Sequence, residues 1–387
     1  SQSTQAIGFN NFSSITDRFV ELGNGTPYNN LDPDSYAGLA WNNFLIDTLA
    51  GSSSAYFPAV NGGRIQQTVS LNEEGRNQEW FISLAGNVDD FLYAGVTLGI
   101  RNLKYSQTLI VKEEDTRMLH EFYQNDPAFT LEFPTEKLSV TDRFNSEGTG
   151  INARFGIIVR PADQLRIGIN FETPSLYSLT DEFQTSMEHT VELAMDQTQD
   201  LSGENTPGLF DYNLTTPYSA GLGLTYLFGK SGFLTADVKV TDYTAAKFSS
   251  PYTITDPAYY AFSDENQRIS EAFRMAVNYS IGGEYRMDIY RVRAGFAWQT
   301  SGLKPEFSNY QDPSDPANLL SVNPDTRIIS FGTGIRQPNY FLDVVYVNQF
   351  RRERFNPYSL EAPGAFSPSI INKVSRHIVA LSLGFNI

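Results

Sequence analysis

Hydrophobic and polar residues alternate near the end of the chain. Over 376–387, Val379, Leu381, Leu383, Phe385 and Ile387 share one parity, and Ala380, Ser382, Gly384 and Asn386 share the other. A β-strand sends successive side chains to opposite faces, so this stretch predicts a strand with one greasy face and one small or polar face. Five earlier hairpins repeat the pattern around short turns at 87–90, 161–164, 229–232, 287–289 and 337–339. In the third, Leu222, Leu224, Tyr226 and Phe228 alternate with Gly221, Gly223 and Thr225, and beyond the turn Leu234, Ala236, Val238 and Val240 alternate with Thr235, Asp237, Lys239 and Thr241. In the second, Arg166, Asn170 and Glu172 share a face, which must meet water or other polar groups because charges in hydrocarbon are costly.

Long connections separate the hairpins: 113–137, 183–213, 248–268, 302–326 and 351–372. Loops of that length are uncommon inside soluble domains. Short turns at one end and long loops at the other are the arrangement of outer-membrane barrels. The predicted fold is therefore all-β: a transmembrane antiparallel β-barrel with short periplasmic turns and long extracellular loops, in a single domain over 1–387. The five hairpins, a strand over 5–12 and the last strand give about twelve strands.

One segment has a different period. From 34 to 50, Ala37, Ala40, Trp41, Phe44, Leu45, Thr48 and Leu49 recur at helical spacing, with Asp34 or Ser35 as N-cap after Pro33. This predicts an extracellular loop helix outside the barrel wall. Its Trp41, Phe44, Leu45 and Leu49 face either packs on neighbouring loops or lines a groove for a hydrophobic ligand.

Composition narrows the picture. Hydrophobic residues make up 41% and mean hydropathy is −0.31, values a barrel shares with soluble proteins because each strand gives only half its residues to lipid. No run is long and apolar enough for a membrane helix. The 21 Tyr and 28 Phe suit aromatic girdles at the membrane borders. Cysteine is absent, which removes disulfides, thiolate metal sites and cysteine nucleophiles. The net charge of −16 argues against nucleic acid as a partner. The first residue is Ser1, so an export signal is expected to have been removed or to lie outside this sequence.

Motifs for catalysis are scarce. No nucleophile elbow, zinc-protease helix, P-loop or EF-hand spacing occurs, so the chain reads as a non-enzyme without cofactor or metal. Of the three histidines, His120 and His189 fall in or beside the long connections and His377 begins the last strand. Outer-membrane phospholipases set Ser and His on a barrel wall, so His377 beside a serine is a side reading. The predicted inner face carries Arg154, Arg166, Glu172, Asp237, Lys239, Arg274, Glu284, Arg286, Arg293, Arg336 and Asp343. These residues either form a structural network or offer a cation to a ligand carboxylate. For the second role Lys239 and Arg293 are the candidates.

Several motifs also carry a resemblance. They are Leu39-Ala40-Trp41 running to Leu45-Ile46-Asp47, Gly156 to Pro161 followed by Leu165-Arg166-Ile167-Gly168 and Thr173-Pro174, Pro217 to Tyr226 with Ala236-Asp237 and Thr241-Asp242-Tyr243, Arg293-Ala294-Gly295-Phe296, and Asp343-Val344-Val345-Tyr346. In order and spacing the chain resembles the FadL-type outer-membrane transporters of long-chain fatty acids and aromatic hydrocarbons. Within that family it resembles the Bacteroidetes subgroup often labelled hemin receptors. The resemblance implies about fourteen strands, an N-terminal hatch in the lumen, and exit through a wall gap at a kinked early strand, here around Gly8 to Phe12. The Gly- and Asn-Pro-rich hatch motif is not in this sequence. The expectation is that the hatch and about two strands, roughly a hundred residues, lie outside it through truncation, cleavage or placement in a second chain. Function then reads as uptake of hydrophobic small molecules across the bacterial outer membrane, with lipid and ligand as partners. The alternative is a docking or assembly subunit whose acidic loops bind a protein in a larger complex.

Overall fold

The computed structural model describes residues 2–60, 65–115, 135–193, 197–308, 310–312, 315–320, 324–362 and 365–385. Its wall has twelve antiparallel strands in chain order. They are β1 (Gln2–Asn10), β2 (Ile65–Val88), β3 (Leu92–Asp115), β4 (Thr135–Ala162), β5 (Leu165–Glu172), β6 (Ser219–Leu227), β7 (Gly232–Asp242), β8 (Met275–Met287), β9 (Tyr290–Gln299), β10 (Thr326–Arg336), β11 (Tyr340–Phe355) and β12 (Ile370–Phe385). The five turns of the sequence pattern join β2–β3, β4–β5, β6–β7, β8–β9 and β10–β11. In the first, Asp89 and Asp90 take φ of 49° and 51°, the geometry whose twist matches a tight hairpin.

Register keeps the two faces apart. Leu222 pairs with Val238, Gly223 with Asp237 and Leu224 with Ala236. A one-residue slip would turn every one of these side chains to the wrong face. The outward parity forms an apolar belt in which Ile82, Leu381, Leu383, Leu222 and Leu224 are all exposed. That belt faces lipid, as the alternation predicts. It ends along the row Gln78–Asn102–Thr149, cross-strand partners above which the outward face of β2, β3 and β4 carries Arg76, Lys104 and Glu147. These strands of 24, 24 and 28 residues therefore rise far beyond the belt.

Two predicted connections look different in the structure. Residues 183–213 are mostly strand: Leu176–Leu193 pairs with the upper half of β4, and Gln197–Glu204 and Gly208–Thr215 pair with it in turn. Above the belt both faces of such strands carry Thr, Gln and Glu, so the period of two has no hydrophobic signal. Residues 248–268 hold the start of α3 (Ser263–Ala272). Most of 113–137, with His120, and parts of 302–326 lie outside the described residues, as do Asn386 and Ile387.

The predicted helix over 34–50 is shorter and sits elsewhere. It spans only Tyr36–Asn42 (α2), capped by Ser35 Oγ accepting from the Gly38 amide at 3.1 Å. Phe44 takes φ of 57°, which ends the helix, and Ile46–Thr48 pairs as a short strand with Tyr56–Pro58. A further helix, α1 (Ile15–Gly23), precedes it. Both pack on the lumen-side parity of the wall and not outside it. Ile15, Phe19, Leu39 and Leu45 bury against Val69, Leu109, Val111, Leu138, Val140 and Met187. The register of β2, β3 and β4 runs without a bulge from these residues down to the belt, so this is the same face that carries the lumen charges.

The wall is nearly closed. β1 pairs only with residues 65–73 of β2. Its other side reaches β11 and β12 through side chains, with Arg351 Nη2 donating to Gln2 Oε1 at 3.1 Å and Asn372 Nδ2 to Thr4 Oγ1 at 3.1 Å. Below that level, residues 74–88 of β2 and 374–385 of β12 each have a ladder partner on one side only among the described residues. Gly8 pairs in regular register with Gln67, without a bulge and well above the belt, so the stretch Gly8 to Phe12 does not meet hydrocarbon.

Candidate functional site

The lumen-facing parity gathers charge into two clusters. In the first, Glu79 accepts from Arg154 Nη2 at 2.7 Å and lies 3.7 Å from Arg101 Nε. Arg101 also donates to Glu172, which accepts from Asn152 at 3.0 Å. Lys239 stands 3.8 Å from Glu172. In the second, Glu284 accepts from Arg286 Nε and Arg293 Nε, both at 2.7 Å, and Arg293 Nη1 donates to Asp343 at 2.8 Å. The two candidate cations thus fall in different clusters. Arg293 is spent on two carboxylates, whereas Lys239 has one distant partner and a half-exposed side chain.

Between the first cluster and the periplasmic turns the lumen wall opens into a cavity of about 670 Å³. Gly95 pairs with Gly156 and Gly168 with Gly223 across β3, β4, β5 and β6, so no side chain rises from these four floor positions, although the Asp237 carboxylate lies over Gly223. Ala85, Ile158 and Tyr93 supply apolar surface, and Asn170 and Asp237 supply polar groups. The volume falls within the range of small-molecule sites. A Cβ at Gly156 would meet nothing within 4 Å, so space and not backbone strain defines the floor there.

At the extracellular end a buried polar network ties α1 to the wall. Glu113, near the top of β3, is 3% exposed. It accepts from the Ile15 amide at 2.8 Å, from Gln67 Nε2 at 2.6 Å and from the Ser14 hydroxyl. Gln67 also donates to the Tyr358 hydroxyl at 2.8 Å, which accepts from Asn10 Nδ2 at 3.2 Å. Burial pushes the Glu113 carboxyl up to about 7, against the lowering effect of its three donors. Burial likewise raises Asp17, in the first turn of α1, to about 6. Beside this network Ile7, Phe9, Phe12 and Phe366 line a pocket of about 380 Å³ between β1 and residues 357–370.

The predicted apolar face of 34–50 does not assemble as one surface. Trp41 stacks on Tyr28 with ring centroids 5.2 Å apart, Leu45 is fully buried, Phe44 is exposed and Leu49 is half-buried. The helix ends before Phe44, so helical spacing no longer relates these side chains. The sequence reading missed α1, although Ser14 and Asp17 form a capping box that spacing alone could have found. It also missed Glu113, which falls at the start of the predicted connection 113–137, since nothing in the sequence shows that α1 covers it.

No protein-family profile matches the chain, and no curated protein matches it. Solved structures do. A FadL homologue from Pseudomonas aeruginosa is 16% identical, with 84% of this chain and 75% of that one covered, at a TM-score of 0.51. The toluene transporter TodX from Pseudomonas putida is 13% identical over 83% of this chain and 70% of that one, at 0.41. The first likeness and the twelve-strand antiparallel wall give the chain the fold of the FadL-type outer-membrane barrels.

Proposed function

We propose that this barrel is an outer-membrane channel that takes up hydrophobic small molecules, of the size of a fatty acid or a substituted aromatic ring. The cavity of about 670 Å³ inside the lumen carries the reading, because a glycine floor with apolar sides and a few polar groups, among them Asn87, Asn170 and Asp237, suits a largely apolar guest. Capture begins at the apolar pocket between β1 and residues 357–370, which stands above the belt. Lys239 offers a cation to a guest that carries a carboxylate, since its own partner is 3.8 Å away. Exit to the bilayer fits the level of the belt where β2 and β12 have a free ladder side among the described residues.

Native mass spectrometry of the detergent-extracted protein tests this first. Co-purified lipid or hydrocarbon supports uptake, and a stoichiometric protein partner without lipid supports the docking role instead. Gly156→Leu provides the second test. Its Cβ meets no atom within 4 Å and the rest of the side chain extends over the cavity floor, so the barrel is expected to fold while uptake of labelled oleate or toluene falls about tenfold. Unchanged uptake of both compounds removes the cavity from the path.

A further inference from the structure

On the outward face, where the belt ends, β11 and β12 bring together a serine, a histidine, an asparagine and a tyrosine. Ser375 and His377 are two positions apart on β12, Asn348 is the direct cross-strand partner of His377, and Tyr346 lies one step below on β11. Ser375 Oγ is 3.1 Å from His377 Nε2. On the other ring nitrogen, Nδ1, the Tyr346 hydroxyl stands at 2.8 Å and the Asn348 side-chain nitrogen at 3.2 Å. Asn348 Nδ2 is also 3.2 Å from Ser375 Oγ. Ser375 and His377 are exposed, on the parity of Val379, Leu381 and Leu383.

We propose that Ser375 and His377 form an esterase site that cleaves acyl esters of the membrane lipids touching this side of the barrel. The roles follow from the distances. In the tautomer with Nδ1–H donating to the Tyr346 oxygen, the Asn348 amide does not bond the ring and donates to Ser375 Oγ instead, and the neutral imidazole presents its Nε2 lone pair to the Ser375 hydroxyl. Ser375 Oγ attacks the ester carbonyl carbon, and His377 Nε2 takes the hydroxyl proton. The Asn348 amide, already within reach of Oγ, donates to the oxyanion that forms beside it. The carbonyl carbon–glycerol oxygen bond then breaks, and the imidazolium returns the proton to the glycerol oxygen, releasing a lysolipid. Water attacks the acyl-serine with His377 again as base, and the fatty acid leaves as Ser375 recovers its proton. The sum is lipid ester plus water giving lysolipid plus fatty acid, with no oxidant or metal needed for balance.

The height of the cluster selects this substrate. Directly below it the wall is apolar through Val379, Leu381, Leu383 and Phe385, and directly above it Lys373 is exposed. Lipid esters lie at that border, between the acyl chains and the polar headgroups. The leaflet itself holds the substrate against the wall, so the site needs no cleft of its own. This departs from the non-enzyme reading of the sequence and is independent of transport, although a released fatty acid would appear beside the strand that edges the wall.

The test uses the full chain in mixed micelles of detergent and dioleoyl phosphatidylethanolamine. Oleic acid and lysolipid are measured by mass spectrometry, and a fluorophosphonate probe reports a reactive serine. Equal amounts of the two products are expected, with an adduct at Ser375. Ser375→Ala and His377→Asn each lower the rate about 100-fold or more. Tyr346 is a positioning residue, so Tyr346→Phe lowers kcat about tenfold with KM unchanged. Heat-dependent gel mobility verifies that each variant is folded. Product release by folded His377→Asn equal to that of the parent protein overturns the proposal, as does a parent protein that gives neither product nor adduct.

Discussion

Replacing Leu224 by arginine puts a charge into the middle of the belt, and the depth can be worked out from the strand. On β6 and its flanks the outward side chains run Tyr218, Ala220, Leu222, Leu224, Tyr226, Phe228, with aromatic rings at both ends. Tyr218 and Phe228 are ten positions apart. At a rise of about 3.4 Å per residue and a tilt of about 40°, that spans roughly 25 Å, the height of a barrel's apolar band. Leu224 is then about 10 Å from the nearer border, flanked by Ile167 and Ala236 on the adjacent strands. An arginine near the midplane costs about 2–4 kcal/mol, which is about 30- to 1000-fold in the folding equilibrium. Thr225 is the control. It faces the lumen and shares a 3.0 Å hydrogen bond with Thr235, so Thr225→Arg forfeits about 0.5–1.5 kcal/mol. The assay is urea-dependent folding into vesicles followed by the fluorescence of Trp80 and Trp298, both on the belt. Equal losses at 224 and 225 would refute the facing of the whole sheet.

Two further outcomes concern the extracellular end. The Glu113 carboxyl is held near 7 when α1 is seated, against 4.5 for the free group, so the seated form binds its proton more tightly. The seat is therefore firmest below pH 4.5 and weakens as pH rises through about 7. Hydrogen exchange of residues 15–23 should quicken over that window, and Glu113→Gln should flatten the change; a pH-independent parent protein would contradict the assignment. Tyr358→Phe removes the hydroxyl on which Asn10 and Gln67 converge, for a loss of about 1–3 kcal/mol seen as earlier protease cleavage at the junction of β1 with residues 357–370.

How much of this could be read from the sequence depended on what each face touches. Within the belt, lipid on one side and polar lumen on the other impose a period of two, so Leu222, Leu224, Leu381 and Leu383 announce their facing. Above the belt the outward side meets water as well. The strand Leu176–Leu193 keeps Met187 and Val191 inward but surrounds them with Thr, Gln and Glu, and its alternation fades into what looks like a loop. The helix over 34–50 was overextended because Phe44 and Leu45 fall at helical spacing by coincidence, while the backbone turns left-handed at Phe44. The glycine floor was present in the sequence as Gly95, Gly156, Gly168 and Gly223, but only cross-strand register shows that they adjoin. Glu113 is a tertiary matter altogether, since its burial depends on a helix ninety-odd residues earlier in the chain.

The tall β2–β3–β4 ribbon also decides where a solute first meets this protein. Between Gln78 and Ile65 the ribbon climbs thirteen further positions, about 30 Å or more once tilt is allowed for. Under the proposed uptake role, a greasy molecule arriving from the medium meets this rim before it reaches the level of the belt. Shortening the ribbon by one cross-strand pair at a time would lower that rim in steps, converting a question about affinity into one about altitude.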